Sequence, residues 1–210
     1  KSDYSVRTGL RRHRLQKVVV ANRGEIAKRF FLALHEEGIP SVAVVTDPDR
    51  GQSWYEFADE VIFIGDQDHY ASITVIIAAA LFAKANAIYS GYGFLSENMD
   101  FVRAVESMAG LRGHEIIFMG PSHETISMVG DKMNARSLAR RHDIPLFESS
   151  DVIRNGDSET AAKEAARLGY PVMVKLCSGG GGKGVYPAAD EAELSAAAAS
   201  AARIGLNLYN

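Results

Sequence analysis

Five short apolar runs, most of them separated from the next by a helical pattern, constrain this chain more than any other feature. Lys17 to Ala21 (KVVVA), Ser41 to Thr46 (SVAVVT), residues 61–65 (VIFIG), residues 87–91 (AIYSG) and residues 116–120 (IIFMG) lack the apolar–polar alternation of a half-exposed strand. Continuous β-branched runs of this length suit strands covered on both faces, the condition of a parallel sheet. Between the first two, Ile26, Ala27, Phe30, Phe31 and Leu34 recur at helical spacing and Gly38 marks the stop. Further helices are predicted near 72–84 and 98–109. Strand, helix and strand within about 30 residues form a βαβ unit, right-handed by the usual rule. The reading is an α/β, doubly wound parallel sheet.

Beyond Pro121 and Ser122 the pattern changes. Glu124 to His142 reads as one helix, with Gly130 inside it hinting at close packing, because glycine costs about 1 kcal/mol there. Ile144 to Glu148 reads as a short strand, Ser158 to Leu168 as a helix and Asp190 to Ile204 as an alanine-rich helix, with Gly205 to Asn210 irregular. Together they make a small, incomplete α+β lobe without a closing strand. The expected division is an arm over 1–16, a Rossmann-like domain over 17–125 and the small lobe over 126–210, with the natural chain expected to continue.

At 210 residues, 47% hydrophobic and 23% charged, the chain can bury a core. A net charge of −3 gives no global reason to expect nucleic acid or a membrane surface. The basic stretch Arg7 to Lys17 reads as a solvated arm, or as the remnant of a targeting peptide. The single cysteine, Cys177, excludes an internal disulfide and suits a reducing compartment. The cytoplasm is expected, the mitochondrial matrix being the alternative. The apolar stretch Ile73 to Ala85 is too short to span a bilayer.

Three stretches carry chemistry. Gly169 to Gly184 (GYPVMVKLCSGGGGKG) sets Lys175 in an apolar run before four consecutive glycines and Lys183. Glycines weaken any strand or helix, so their use suggests a backbone that must approach a ligand. Freed N–H groups flanked by cations suit phosphate oxygens. Val185 to Pro187 reads as a second strand rather than a helix, which excludes a dinucleotide fingerprint, and the Walker A positions do not match. What remains is a flap folded over a nucleotide, or a plain surface hairpin. The second and third stretches end strands: Ala21-Asn22-Arg23-Gly24-Glu25, an anion cradle or an ordinary turn, and Ser90 to Asn98 (SGYGFLSEN). In the latter, Tyr92 offers a flat face to a ligand, or packs inward while Ser96 caps the next helix. Lys132, after Gly130-Asp131, is a phosphate contact from the opposite side or a surface lysine.

Taken together, ANRGEIAKR at 21–29, ADE at 58–60, GYGFLSEN at 91–98, F-x-GP at 118–121, GDKMNAR at 130–136 and the flap string resemble biotin carboxylase, the ATP-grasp component of the biotin-dependent carboxylases. The resemblance implies a Rossmann-like pre-ATP-grasp domain followed by an incomplete ATP-grasp lid. It implies that Lys132, Lys175, Gly181, Gly182 and Lys183 bind ATP, and that Tyr92 and Gly93 line the biotin and bicarbonate side. The implied reaction carboxylates biotin with bicarbonate through carboxyphosphate at the expense of ATP. Implied cofactors are ATP, Mg or Mn, and biotin on a carrier domain; implied partners are the biotin carboxyl carrier domain or subunit, a carboxyltransferase and a second copy in a homo-oligomer. The family's catalytic residues and metal ligands fall beyond Asn210, so none is assigned here and no metal site is expected in this segment. Tyr89-Ser90, Phe147-Glu148-Ser149 and Val185-Tyr186 depart from the family pattern of His-Pro, Pro-Gly and Met-Arg. A non-catalytic assembly subunit is the alternative.

Overall fold

The computed structural model describes residues 15–108, 116–153, 157–176 and 184–209, with the helix backbone but not the side chains over 204–209. The chain divides into two compact units, residues 1–126 and 127–210. Residues 1–14, and with them most of the basic stretch, lie outside the described residues, as do Cys177 and the glycine run.

The first unit is built on a five-stranded parallel sheet. β1 (Val18–Val20) is central, β2 (Ser41–Thr46) and β3 (Glu60–Gly65) lie to one side, and β4 (Ala87–Tyr89) and β5 (Ile117–Phe118) to the other, in the order β3-β2-β1-β4-β5. Alternate residues of β1, β2, β4 and β5 enter opposite cores, as a period of two demands, whereas β3 gives only Ile62 and Ile64 to one of them. Val19, Val42, Val44 and Ile88 meet α2 (Ile73–Phe82) and α3 (Met99–Ser107) through Ile76, Ala80, Phe101 and Val105. Val18, Val20, Ala43 and Val45 meet α1 (Gly24–Glu36) through Ala27, Phe31 and Leu34, with Trp54 closing that side. Covered faces explain the unbroken runs of β1 and β2, which are buried at every position, but not that of the edge strand β3, where Val61 and Phe63 are exposed. The doubly wound reading holds.

Turns of 3₁₀ helix at 47–49, 54–57 and 67–71 fill the connections around β3, none of them evident as a period in the sequence. The first helps to aim Asp49 inward, and the second seats Trp54. Asn98, not Ser96, caps α3 by accepting from the N–H of Phe101 at 2.9 Å.

The stretch read as one helix over Glu124–His142 is two, α4 (His123–Gly130) and α5 (Lys132–Arg141). Asp131 separates them: its carboxylate accepts from the N–H groups of Met133 and Asn134 at 2.9 and 2.8 Å. A short acceptor that satisfies the free donors of a new helix outcompetes continuation. Gly130 therefore ends a helix rather than interrupting one, and a Cβ there would meet nothing within 4 Å, so close packing is not its reason. No strand forms over 144–148. Pro145 offers no ladder donor, the Phe147 carbonyl accepts from Arg136, and Phe147 itself is 93% exposed.

In the second unit, α6 (Ser158–Leu168) starts at Asp157, whose side chain accepts from Thr160. β6 (Val172–Lys175) and β7 (Val185–Ala188) pair antiparallel, Val172 with Ala188 and Lys175 with Val185. α7 (Glu191–Tyr209) runs past Gly205, where the sequence suggested a stop. A small core of Ala165, Ala188, Leu194 and Ala197, with Val172, Val174 and Tyr186 against it, joins the hairpin to both helices.

Candidate functional site

Between β1 and β4 the strand order reverses, and ligands of open α/β sheets gather beyond the carboxyl ends of the strands at such a point. Both chemically loaded loops of the first unit leave the sheet there. Asn22, fully buried, follows β1 directly; its side-chain amide donates to the Ser90 carbonyl at 2.6 Å and the Tyr92 carbonyl at 2.8 Å. Its own oxygen accepts from the Arg23 N–H at 2.8 Å. Gly91 makes that approach possible. Its φ is +64°, and a Cβ would stand 2.6 Å from Ile26 Cγ2. This is a position where only glycine combines that conformation with that proximity.

Tyr92 is not packed inward. It is 64% exposed, and its hydroxyl donates to Glu25 Oε1 at 2.5 Å, a bond that raises its pKa above the ordinary 10.0. Glu25 stands in the first turn of α1, favoured by the helix dipole. Arg23, just before α1, reaches the opposite way, with Nη1 3.2 Å from Asp49 Oδ1. Asp49 is nearly buried and also accepts from the Tyr70 hydroxyl at 2.8 Å. Burial above all, then that bond, pushes the Tyr70 phenol up to about 12. A buried carboxylate needs such partners. The result is an open pocket of about 610 Å³ with Arg23, Glu25 and Gln52 as polar groups and Trp54, Tyr92 and Phe94 as aromatic ones. It can seat a flat, polar ligand against an aromatic face.

The predicted site residues therefore divide. Tyr92 and Gly93 lie in this pocket, joined by Asn22, Arg23 and Glu25. Asp49, Gln52 and Trp54 were missed; only the turn-rich string Asp47-Pro48-Asp49-Arg50-Gly51 could have pointed to them. Lys175 is exposed at the end of β6, at the rim of a groove of about 570 Å³ that α6, α7 and β6 enclose, and Lys132 is not among the residues lining that groove. Lys132 is half-buried as the first residue of α5. Gly181, Gly182 and Lys183 lie outside the described residues. The hairpin around them is defined at its base: the Leu176 N–H donates to the Gly184 carbonyl at 3.0 Å, and Gly184 has φ +74° with Leu176 so close that a Cβ would clash.

Two of the departures have structural roles. Tyr89 stacks on Phe30 with ring centroids 3.5 Å apart, and Tyr186 pairs with Val174 against the small core. Among the described residues one group of metal-ligating side chains converges, Glu106, His123 and Glu124 in the first unit. There His123 Nδ1 pairs with Glu106 while Nε2 lies 3.3 Å from Glu124, tying α3 to the start of α4. No helix among the described residues is long and apolar enough to cross a membrane.

A doubly wound sheet with its loaded loops at the strand reversal, followed in the chain by a small lobe with an antiparallel strand pair on either side of the glycine-rich string, is an architecture of the ATP-grasp type. The family model described as "Biotin carboxylase, N-terminal domain" matches residues 14–126, and "Carbamoyl-phosphate synthase L chain, ATP binding domain" matches residues 131–207. The chain belongs to the biotin carboxylase family. It is 42% identical over 183 residues to the biotin carboxylase of Pseudomonas aeruginosa, covering 86% of this chain and 39% of that protein. It is 42% identical over 195 residues to the biotin-dependent acyl-coenzyme A carboxylase alpha3 subunit of Mycobacterium leprae, covering 90% and 31%. Among solved structures it superposes on a Campylobacter jejuni biotin carboxylase in a β,γ-ATP complex with a TM-score of 0.84 at 36% identity, over 93% of this chain and 43% of that one. The biotin carboxylase domain of Hydrogenobacter thermophilus 2-oxoglutarate carboxylase, complexed with MgADP, ADP and bicarbonate, gives 0.79 at 37%, over 94% and 41%. The chain thus spans about two fifths or less of the length of these relatives.

Proposed function

We propose that this chain supplies the first α/β domain and part of the nucleotide lid of an enzyme that carboxylates biotin with bicarbonate and ATP. The observation that carries the reading is the conjunction in one chain of the Asn22–Tyr92 pocket at the strand reversal with a lysine-bearing antiparallel strand pair that flanks the glycine-rich string. When bound, ATP supplies the phosphoryl group that activates bicarbonate. This chain's part in that chemistry is positioning and charge neutralisation, which carry most phosphoryl-transfer catalysis. Lys175 and Lys132 are the phosphate contacts in this reading, Gly181, Gly182 and Lys183 belong to the flap, and Tyr92 and Gly93 line the biotin and bicarbonate side.

On this reading Mg or Mn accompanies the nucleotide, and no residue of this segment is assigned to hold it. The partners on this reading are a biotin-bearing carrier domain, a carboxyltransferase and a second copy of the chain, in the cytoplasm. The relatives above are carboxylases, carboxylase subunits or their domains, which weighs against a purely assembling role. The test is ADP release by the native protein: it should require bicarbonate and rise with free biotin. ADP release indifferent to bicarbonate would overturn the reading.

A further inference from the structure

We infer that Asn22 and Glu25 are positioning residues for Tyr92, and that together they commit its hydroxyl proton so that the ring face and the phenol's acceptor oxygen meet the ligand. This rests on the reading that Tyr92 lines the biotin side. The geometry divides the task between backbone and side chain. Asn22 spends both amide hydrogens on the Ser90 and Tyr92 carbonyls, which flank Gly91, while its oxygen takes the Arg23 N–H. A buried amide carries two donors and one acceptor group, and here each has a partner. The clamp fixes the chain on either side of Gly91, the first of three positive-φ residues in this loop, ahead of Gly93 and Phe94.

Glu25 then fixes the exposed end. Tyr92 is 64% exposed, so packing does not hold its ring; the Glu25 carboxylate, 2.5 Å from the hydroxyl, gives it a fixed anchor. A phenol has one hydrogen to give and lone pairs to accept with. With that hydrogen on Glu25, a group meeting the Tyr92 oxygen must bring its own. A flat ligand bearing N–H donors, of the ureido kind, satisfies both surfaces, whereas a carboxylate or phosphate would find no donor at the Tyr92 oxygen. Asn22 comes from the β1–α1 loop and Glu25 from the first turn of α1, so this corner and the loop after β4 form one unit around Tyr92.

The experiment uses the native protein, with free biotin and bicarbonate as probes, and measures two things: hydrogen exchange over residues 90–94 and the biotin KM against kcat. Asn22→Asp keeps size and the acceptor but removes both donors, and Asn22→Ala gives a second version should the first fold poorly. Either should speed exchange over 90–94 by about ten- to a hundredfold and raise biotin KM by about tenfold, with the ATP KM little changed. Glu25→Ala should raise biotin KM similarly, and Glu25→Gln, which retains an acceptor, should restore most of it. Unchanged exchange in both Asn22 variants overturns the clamp, and a Gln variant as impaired as Ala overturns the Glu25 anchor. Faster exchange with unchanged biotin KM, matched by an unchanged KM in Tyr92→Ala, leaves the clamp standing and overturns instead the assignment of Tyr92 to the biotin side.

Discussion

Replacing Tyr70 with Phe deletes one oxygen from the polar core behind the pocket, and its cost can be worked from the contacts. Tyr70 is fully buried, its hydroxyl donates to Asp49 at 2.8 Å, and it accepts weakly from the Thr46 N–H at 3.4 Å. Removing a donor from a buried carboxylate costs about 1.5–3 kcal/mol, since among the described residues Asp49 keeps only Arg23, at the pocket mouth. For a unit of this size that lowers the melting temperature by roughly 5–10 °C. Trp54 is the only tryptophan in the chain and stacks 6.4 Å from Phe31, so its fluorescence reports the first unit alone. Burial of the Tyr70 phenol, and after it the bond to Asp49, has a pH signature. The folded-state pKa is raised from 10.0 to about 12, so the native state holds the proton more tightly than the unfolded one. Its contribution is complete below pH 10 and fades as pH rises through 12, by roughly 2–3 kcal/mol. Urea titrations of parent and variant at pH 8, 10 and 11.5, followed by Trp54 fluorescence, should show curves that converge with rising pH. A variant within about 0.5 kcal/mol of the parent at pH 8, or a gap independent of pH, would refute the reasoning.

Gly91→Ala should cost at least 1–3 kcal/mol, because the new Cβ meets Ile26 Cγ2 at 2.6 Å in a left-handed backbone, and a Trp54-monitored urea curve measures it; no loss would mean that the loop is free to shift. Gly93→Ala, with φ +74° but nothing within 4 Å, should cost only about 1 kcal/mol in the same assay. Asp59 accepts from the Ser41 N–H and hydroxyl, which hold its pKa below the ordinary 3.8; its stabilisation is therefore present above that value and lost as pH falls through the lower, folded value. Asp59→Asn should flatten the acid limb of the stability profile below about pH 4. Lys175→Ala should leave melting unchanged while lowering bicarbonate-dependent ATP hydrolysis by roughly two to three orders of magnitude, and unaltered turnover would remove Lys175 from the phosphate site.

How much could be read in advance follows from where the deciding interactions lie. β1 and β2 were legible because burial on both faces leaves its mark on every residue, and α1 because Ala27, Phe31 and Leu34 repeat on one side. The helix over 124–142 misled because the apolar pattern continues across a break made by one carboxylate, that of Asp131. The strand expected over 144–148 failed because apolar residues there have no partner strand, and a run of side chains does not show whether its backbone has a ladder to join. Tyr92 and Gly93 stood out through the glycines that bracket them. Asp49 and Trp54 did not, since their place in the pocket depends on two 3₁₀ turns and on Tyr70, all remote in sequence from Tyr92.

The proposed function requires that the native protein move carboxyl carbon from bicarbonate to biotin. Incubation with labelled bicarbonate, free biotin and ATP should yield label that is acid-labile and bound to biotin. Its formation should stop when ATP is omitted and fall sharply in Lys175→Ala. Efficient ATP hydrolysis with no label on biotin, or labelling that survives the omission of ATP, would contradict the account.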